Sequence, residues 1–575
     1  MITKSVLKRI LKLLLGYKKE LILTLIFNLL ISIIGLVDSL LLSYLIDNVL
    51  YSNAKRTLTT IAIVMLLIAF LQTSLKGLKS LFIQNISYKI DVNLTREFYN
   101  HVLELHYSFF EKHKTGELTS RLNDTRIVRD ALSEGLIGTI SNIIMFLVVG
   151  CELLKLNKIL FLIQLIAVII LSCIVLWFVR FFSKSYPESM EKYANVQAFV
   201  IESFGGIESI KTYPANNSFK KKFDIKQNES IKIGWNIGEH CILQSSYCNV
   251  IEKICSILLL VFGLLFVMNE KMSLGQVASF ISLSGIFTNS VGNLLDLQSG
   301  IQEAFAAIKR LFEVLDEESD QNLSLDCVET VVPELKFQNV CFSYNKNTTF
   351  YENLNLEIKS GQWISFIGKT GCGKTTIVKL LLKLYKPHGE IILWNNEDLQ
   401  KINTASIRKI IGYVPQDVIL FSGTIFDNIT MFSDEYSKEY VLEITKKVGI
   451  YEKILSLENG LDTIVGENGF SLSGGEKQKI AICRVLIKNP QVIVMDEATS
   501  SLDLASEKEI IKIIEQQKKE GKTIISIAHR LSTVEKCDNI YVLDKGKIIE
   551  SGNFEKLMND KGLFFNILNM QRFNA

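Results

Sequence analysis

The strongest chemical signal in the chain is Gly368-Lys369-Thr370-Gly371-Cys372-Gly373-Lys374-Thr375, which fits the spacing G-x-x-x-x-G-K-[ST]. The strand-like run Trp363–Ile367 precedes it and the helical run Thr376–Tyr385 follows. Glycines at this spacing let successive backbone N–H groups wrap phosphate, and the start of a helix adds favourable partial charge. Lys374 is then placed to reach the β- and γ-phosphates of a nucleoside triphosphate, and Thr375 to hold Mg²⁺. Two carboxylates stand downstream, at the end of the apolar run Val492-Ile493-Val494-Met495-Asp496-Glu497. Asp496 suits a Mg²⁺ shell and Glu497 suits an attacking water. A strand ending in Asp-Glu says little alone; after a phosphate-binding loop it says more.

A third run, Leu472-Ser473-Gly474-Gly475-Glu476, opens a helix expected over Lys477–Lys488. Ser473 and Glu476 have the spacing of a capping box. That does not account for two successive glycines, which admit a phosphate close to the backbone at a positive helix end.

With these residues in view, the sequence closely resembles the ABC ATPase family. Leu472–Glu476 is similar to the family signature, with Glu476 where Gln is usual. The resemblance extends to further residues in the family's order. Tyr344 resembles the aromatic that stacks on adenine. Gln416, in Tyr413-Val414-Pro415-Gln416, resembles the Q-loop residue that touches Mg²⁺ and the membrane domain. Asp503, in Ser500-Ser501-Leu502-Asp503, resembles the D-loop, and His529 the switch histidine near the γ-phosphate. The resemblance implies ATP and Mg²⁺ as ligands, catalytic roles for Glu497, His529 and Gln416, and nucleotide contacts from Tyr344, Gly368 through Thr376, Ser473 through Glu476, and Asp503. It also implies head-to-tail ATPase domains, hence a second copy of the chain or a paralogous half-transporter. No motif is degenerate, so two equivalent sites in a homodimer are the simplest arrangement.

The elements that must position this chemistry divide the chain in two. With 575 residues it exceeds the roughly 300 at which a single core stops growing. Hydrophobic residues make up 48%, charged residues 21%, and mean hydropathy is +0.26, a balance suited to a part-embedded, part-soluble protein. Six apolar segments could each span a bilayer, near Leu21–Ile46, Leu58–Phe82, Ile137–Leu153, Ile159–Phe181, Val250–Met268 and Leu274–Leu297. Segments three and four, and five and six, are joined by short links. The other separations are long, helical-looking and rich in Lys and Arg, which places them and the N-terminus in the cytoplasm. Val6–Leu15 is amphipathic enough to lie on the membrane surface. The apolar run Leu21–Leu50 is too long for the core of a signal peptide and reads as a retained first span.

After Pro333 the pattern becomes α/β with a largely parallel sheet. The expected architecture is therefore a polytopic α-helical membrane domain with six transmembrane helices, residues 1–315, a linker at 316–334, and an α/β P-loop NTPase domain of ABC type, 335–575. Both termini are expected in the cytoplasm, with the chain multi-pass in a cell membrane.

The membrane half resembles the exporter branch of the family. Thr463–Gly469 is similar to the exporter X-loop. The stretches Lys114–Asp124 and Ala194–Lys211 resemble loops of bacterial peptide and bacteriocin exporters, as well as related loops of lipid and drug exporters. The resemblance implies ATP-driven export by alternating access, with a peptide the leading substrate and lipid flipping or multidrug efflux the alternatives. Many peptide exporters begin with a cysteine peptidase domain, but no Cys precedes Cys151, so leader cleavage is not expected. Within the spans, Asp38 is a candidate for the substrate path, as a carboxylate at membrane depth. Asn289 and Asn293 are weaker ones, since polar residues also bind helices together.

The same composition excludes other classes. A net charge of +3 gives no bulk case for nucleic-acid binding. The ten cysteines show no metal-ligand spacing and no disulfide framework. Six spans exclude a soluble ABC ATPase, and fusion of membrane and ATPase parts argues against an importer.

Overall fold

The structure is a computed structural model. It describes residues 16–50, 54–113, 115–320, 332–344, 350–389, 391–466, 469–499, 502–528 and 530–574. The amphipathic stretch Val6–Leu15 and most of the expected linker lie outside these. Two compact units emerge. One comprises residues 1–103 and 113–317, the other 104–112 and 318–575.

Among the described residues, the first unit is all helical. Its long helices are α1 (Lys18–Tyr44) and α2 (Lys55–Leu103), then, after the short α3 (Tyr107–Lys112), which belongs to the second unit, α4 (Thr115–Asp130) and α5 (Leu136–Leu156). There follow α6 (Lys158–Gly205), the short α7 (Ile207–Thr212), α8 (Asn216–Met268) and α9 (Leu274–Leu315). Five stretches are long and apolar enough to cross a membrane: 18–50, 55–103, 116–156, 158–205 and 216–268. The sixth expected segment lies in α9, which is 42 residues long but carries Gly, Ser, Thr and Asn through its apolar part and is not among the five. At 49 residues α2 runs about 70 Å, more than twice the ~30 Å of a bilayer's hydrocarbon. The spans therefore continue well past the apolar stretches that mark them in the sequence.

Local chemistry sets where these helices begin. Asn157 caps α6, its side chain accepting from the N–H groups of Ile159 and Leu160 at 2.9 and 3.1 Å. Ser273 caps α9 in a reciprocal capping box with Gln276. Past α1, residues Leu45–Leu50 form a π-helical turn. There the Asp47 carboxylate accepts from the Ser273 hydroxyl at 2.5 Å and from the Gly275 N–H at 2.8 Å. Only glycine fits at 275, since a Cβ would collide with the Ser43 carbonyl oxygen. Further along, Arg310 of α9 holds Asp124 of α4 in a two-pronged ion pair at 2.8 and 2.9 Å. The core between α5, α6, α8 and α9 is built from Val149, Leu160, Leu259, Phe280 and Phe287. Large apolar side chains such as Phe70 and Trp177 stay exposed along α2 and α6, as a lipid-facing surface requires.

The second unit carries a six-stranded sheet. Its order is Lys547–Gly552, Asn539–Asp544, Trp363–Gly368, Thr523–Ile527, Val492–Asp496, Ile411–Val414. All neighbours are parallel except the first pair. The four central strands are buried on both faces, which explains their unbroken apolar runs. A smaller antiparallel sheet forms around Leu335–Phe342, which pairs with Tyr351–Ile358 and Ile392–Trp394.

Candidate functional site

The sheet register brings the sequence motifs to one edge. Phe366 pairs with Ile527, Ile527 with Asp496, and Met495 with Val414. The loops leaving these strands hold, in turn, the phosphate-binding loop, the residues after Ile527, Glu497, and Gln416. Ligands of open parallel sheets bind outside these carboxyl ends. A cavity of about 580 Å³ lies there, lined by Tyr344, Phe350, residues 370–371 and 373–376, Gln416 and Glu497.

Within the loop, Gly373 adopts φ 116°, and a Cβ there would collide with the Tyr351 hydroxyl, so glycine is required. The helix that follows begins at Lys374 and ends at Leu381, earlier at both ends than the sequence suggested. Lys374 is 6% exposed. Its ammonium donates to the carbonyls of Gly368 and Lys369 at 2.8 and 3.2 Å, folded against its own loop. Cys372 is buried in the apolar core beneath the loop rather than lining the cavity. Gly368 and Lys369 also stay out of the lining. Tyr344 bonds Thr376 hydroxyl to hydroxyl at 2.8 Å and packs edge-on against Phe342 and Tyr385, at ring centroid distances of 4.8 and 5.3 Å. It is 42% exposed, leaving ring surface free for a flat partner.

Asp496 is 2% exposed. Burial pushes its carboxyl above the usual carboxylate range, against hydrogen bonds from Thr375 and Tyr413. The Tyr413 hydroxyl donates to its Oδ2 at 3.3 Å, while Oδ1 is buried with no partner among the described residues. A buried orphan oxygen beside Thr375 is the donor set a hard divalent cation takes, so the site fits Mg²⁺. Glu497 has left-handed backbone, φ 49°, held by its N–H to the Ile527 carbonyl at 3.1 Å. Such strain in a non-glycine residue marks functional positions. Its carboxylate accepts from the Gln416 amide at 2.9 Å.

The remaining motif residues lie elsewhere. Ser473 caps the helix Gly474–Leu486 in the expected capping box, accepting from the Glu476 N–H at 3.3 Å while its own N–H donates to Glu476 at 2.8 Å. Both glycines thus sit in the first helical turn, ahead of the expected start at Lys477. Partial burial opposes the Glu476 charge, but the Ser473 N–H and Lys453 more than offset it and hold the carboxyl low. Ser473 through Glu476 do not line the cavity of their own domain. Asp503 caps the helix Leu504–Lys519. His529, Ser500, Ser501 and, in the X-loop, Glu467 and Asn468 lie outside the described residues.

The segment Glu104–Lys112 belongs with this unit. Asp320 donates its N–H to the Glu104 carbonyl at 2.6 Å. Its carboxylate takes His106 at 2.9 Å and Arg408 at 2.8 Å. Tyr107 meets Tyr385 edge-on at 5.8 Å, and Lys379, on the helix after the phosphate loop, lies 3.6 Å from Glu111. This loop tip is therefore packed beside the nucleotide cavity.

In the membrane unit, Asn289 lines a small cavity among α6, α8 and α9. Asp38 and Asn293 do not. Asp38 is half-buried, with no hydrogen bond or ion pair among the described residues, and Asn293 is exposed. Sequence reading passed over several residues gathered at these places. Tyr413 and Phe350 carry no signal as single aromatics, but Gln164 and Glu252 are polar groups inside apolar segments, a signal that was available.

Comparison with known proteins gives a consistent result. Residues 21–291 match the family model described as the ABC transporter transmembrane region, and residues 351–500 the one described as ABC transporter. A lactococcin-G-processing and transport ATP-binding protein of Lactococcus lactis subsp. lactis is 33% identical over 545 residues, covering 94% of this chain and 77% of that protein. A leukotoxin translocation ATP-binding protein of Mannheimia glucosida is 30% identical over 557 residues, covering 95% and 78%. Among solved structures, a bacterial Atm1-family ABC exporter with ATP bound superposes with a TM-score of 0.86 at 23% identity, over 95% of this chain and 98% of that one.

Proposed function

Since the chain belongs to the ABC transporter family, with membrane and ATP-binding domains fused as in exporters, we propose that it exports a peptide from the cytoplasm of a bacterium, driven by ATP hydrolysis. The substrate class is carried by one observation: similarity along almost the whole chain to proteins named for transport of lactococcin G and of leukotoxin.

In this reading, Lys374 exchanges its contacts with the loop carbonyls for the β- and γ-phosphates of ATP, a stronger charge-assisted pairing. The N–H groups of residues 371–376 hold the phosphates at the helix start. Thr375, Asp496 and Gln416 would hold Mg²⁺, which neutralises phosphate charge when bound. Glu497 takes the proton of the attacking water, and Gln416, bonded to it, fixes the carboxylate's direction. Tyr344 offers its free face to the adenine. His529 takes the role of the switch histidine by family resemblance.

A second ATP-binding domain completes each site. Ser473 and Gly474 are exposed at a helix start that does not line its own cavity, so they are available to a partner's nucleotide. The partner is a second copy or a paralogous half-transporter. The assembly sits in the cell membrane with both termini cytoplasmic.

The test is an ATPase assay on the full chain in lipid nanodiscs, with peptides, lipids and hydrophobic drugs compared. Saturable stimulation by peptides is expected. Stimulation by lipids or drugs with no response to peptides would transfer the reading to a flippase or an efflux pump.

A further inference from the structure

Inside the membrane unit, α6, α8 and α9 enclose a cavity of about 110 Å³ whose polar lining is Gln164, Glu252, Ser256, Ser284, Thr288 and Asn289. It has room for about three or four waters, so it takes a single side-chain head and not a whole peptide. Gln164 is 1% exposed. Its amide donates to the Thr288 hydroxyl at 2.7 Å. Its oxygen accepts from the Ser284 hydroxyl at 2.8 Å and from the Cys255 thiol at 3.3 Å. Thr288 spends its proton on the Ser284 carbonyl at 3.0 Å. One wall is thus a closed hydrogen-bond network, fixed in direction and already satisfied.

Glu252 is different. It is half-buried, and no ion pair or hydrogen bond among the described residues reaches its carboxylate; the nearby Ser256 hydroxyl donates to its backbone carbonyl instead, at 2.9 Å. It stands 16 residues before the end of α8 at Met268, about 24 Å along the helix and within the ~30 Å depth of hydrocarbon. No Lys, Arg or His lines the cavity. A carboxylate at this depth is costly without a cation, and among the described residues none pairs with it.

From this we infer that the cavity is a subsite for a primary ammonium group of the exported substrate, a lysine side chain or a free N-terminal amine, with Glu252 as counter-charge and Asn289 as additional acceptor. The inference rests on the peptide-export reading. Glu252 takes no part in the nucleotide chemistry of that reading.

The experiment measures stimulation of ATPase activity in nanodiscs. It uses a synthetic peptide with one lysine, its norleucine analogue, and both again with an acetylated N-terminus. The amine-bearing peptides should reach half-maximal stimulation at roughly tenfold lower concentration than the acetylated norleucine peptide, and the acetylated pairs tell lysine from N-terminus. Glu252→Gln should erase the preference while leaving basal ATPase unchanged. Glu252→Asp, which keeps the charge, should weaken it without erasing it, and serves if the Gln variant fails to fold. A preference that survives in Glu252→Gln overturns the inference while leaving peptide export standing. If no peptide stimulates, the peptide reading fails instead. In that case n-butylammonium decides: a rise in Tm in the unmutated protein that Glu252→Gln abolishes supports the subsite, and equal responses overturn it.

Discussion

The two units place polar groups in opposite ways. In the ATP-binding unit, functional groups stand at the ends of parallel strands, where the backbone itself fixes their position. Asp496 and Glu497 can be nowhere else once Val492–Ile493–Val494–Met495 is paired on both sides. In the membrane unit the polar groups are single side chains on long helices, positioned by whichever helix packs beside them. Gln164 finds Ser284 and Thr288 across an interface, not along its own chain. Chemistry held by strand ends is fixed by backbone pairing; chemistry held by helix faces is fixed by side-chain packing between helices.

Substitutions at the strand ends should therefore stop turnover outright, and those elsewhere should grade it. The largest effect is expected at Glu497. Glu497→Gln keeps shape and hydrogen bonding to Gln416 but removes the base, so hydrolysis should fall on the order of a hundredfold or more while ATP binding survives. Turnover near normal would place the proton acceptor elsewhere. Nearly as large is the result of mixing Lys374→Ala chains with Ser473→Ala chains. Vanadate-trapped nucleotide should reappear at one site per mixed dimer, although neither variant alone traps well. Trapping no better than in either homodimer would contradict a site shared between chains.

Between these extremes lies the loop tip. Asp320→Ala removes the carboxylate that receives both His106 and Arg408. Basal ATPase should stay within a few-fold, while transport falls about tenfold, in the range of a typical coupling energy. Equal loss of both would make Asp320 a residue of the ATPase fold alone.

A smaller effect is expected on stability. Burial raises the Asp496 carboxyl above its unfolded value. The folded state then binds the proton more readily, so stability falls as pH rises past about 4, the unfolded carboxylate range. Without nucleotide, Asp496→Asn should raise the Tm at pH 7, with the gain shrinking as the pH approaches 4. A lower Tm at pH 7 would show that the charge is already compensated. Smallest of all is Asp38→Asn. Asp38 has no described partner, so the Tm should shift by the equivalent of at most ~0.5 kcal/mol, and any change should appear in transport. A large loss of stability would make it a structural contact.

The same contrast decides what could be read in the sequence. Strand ends and glycine loops are local, and the spacing around Gly373, Lys374 and Glu497 signals them directly. The capping box of Ser473 and Glu476 was legible for the same reason, its two residues standing three positions apart, although the helix starts at Gly474 rather than at the expected Lys477. The packing of Glu104–Lys112 against Tyr385 and Asp320 was not, because the partners are more than 200 residues apart and no spacing rule joins them. The membrane cavity was half legible. Asn289 stood out as polar within a span, but only the crossing of α6, α8 and α9 shows that it shares a space with Gln164 and Glu252, while Asp38 and Asn293 do not.

The central claim is that ATP hydrolysis in this chain drives a substrate through the membrane, and uphill transport tests it most directly. Inside-out vesicles carrying the full chain should accumulate a labelled peptide above its outside concentration with ATP and Mg²⁺, and should lose that accumulation with Glu497→Gln. Equilibration without accumulation, or accumulation that persists in Glu497→Gln, would contradict it.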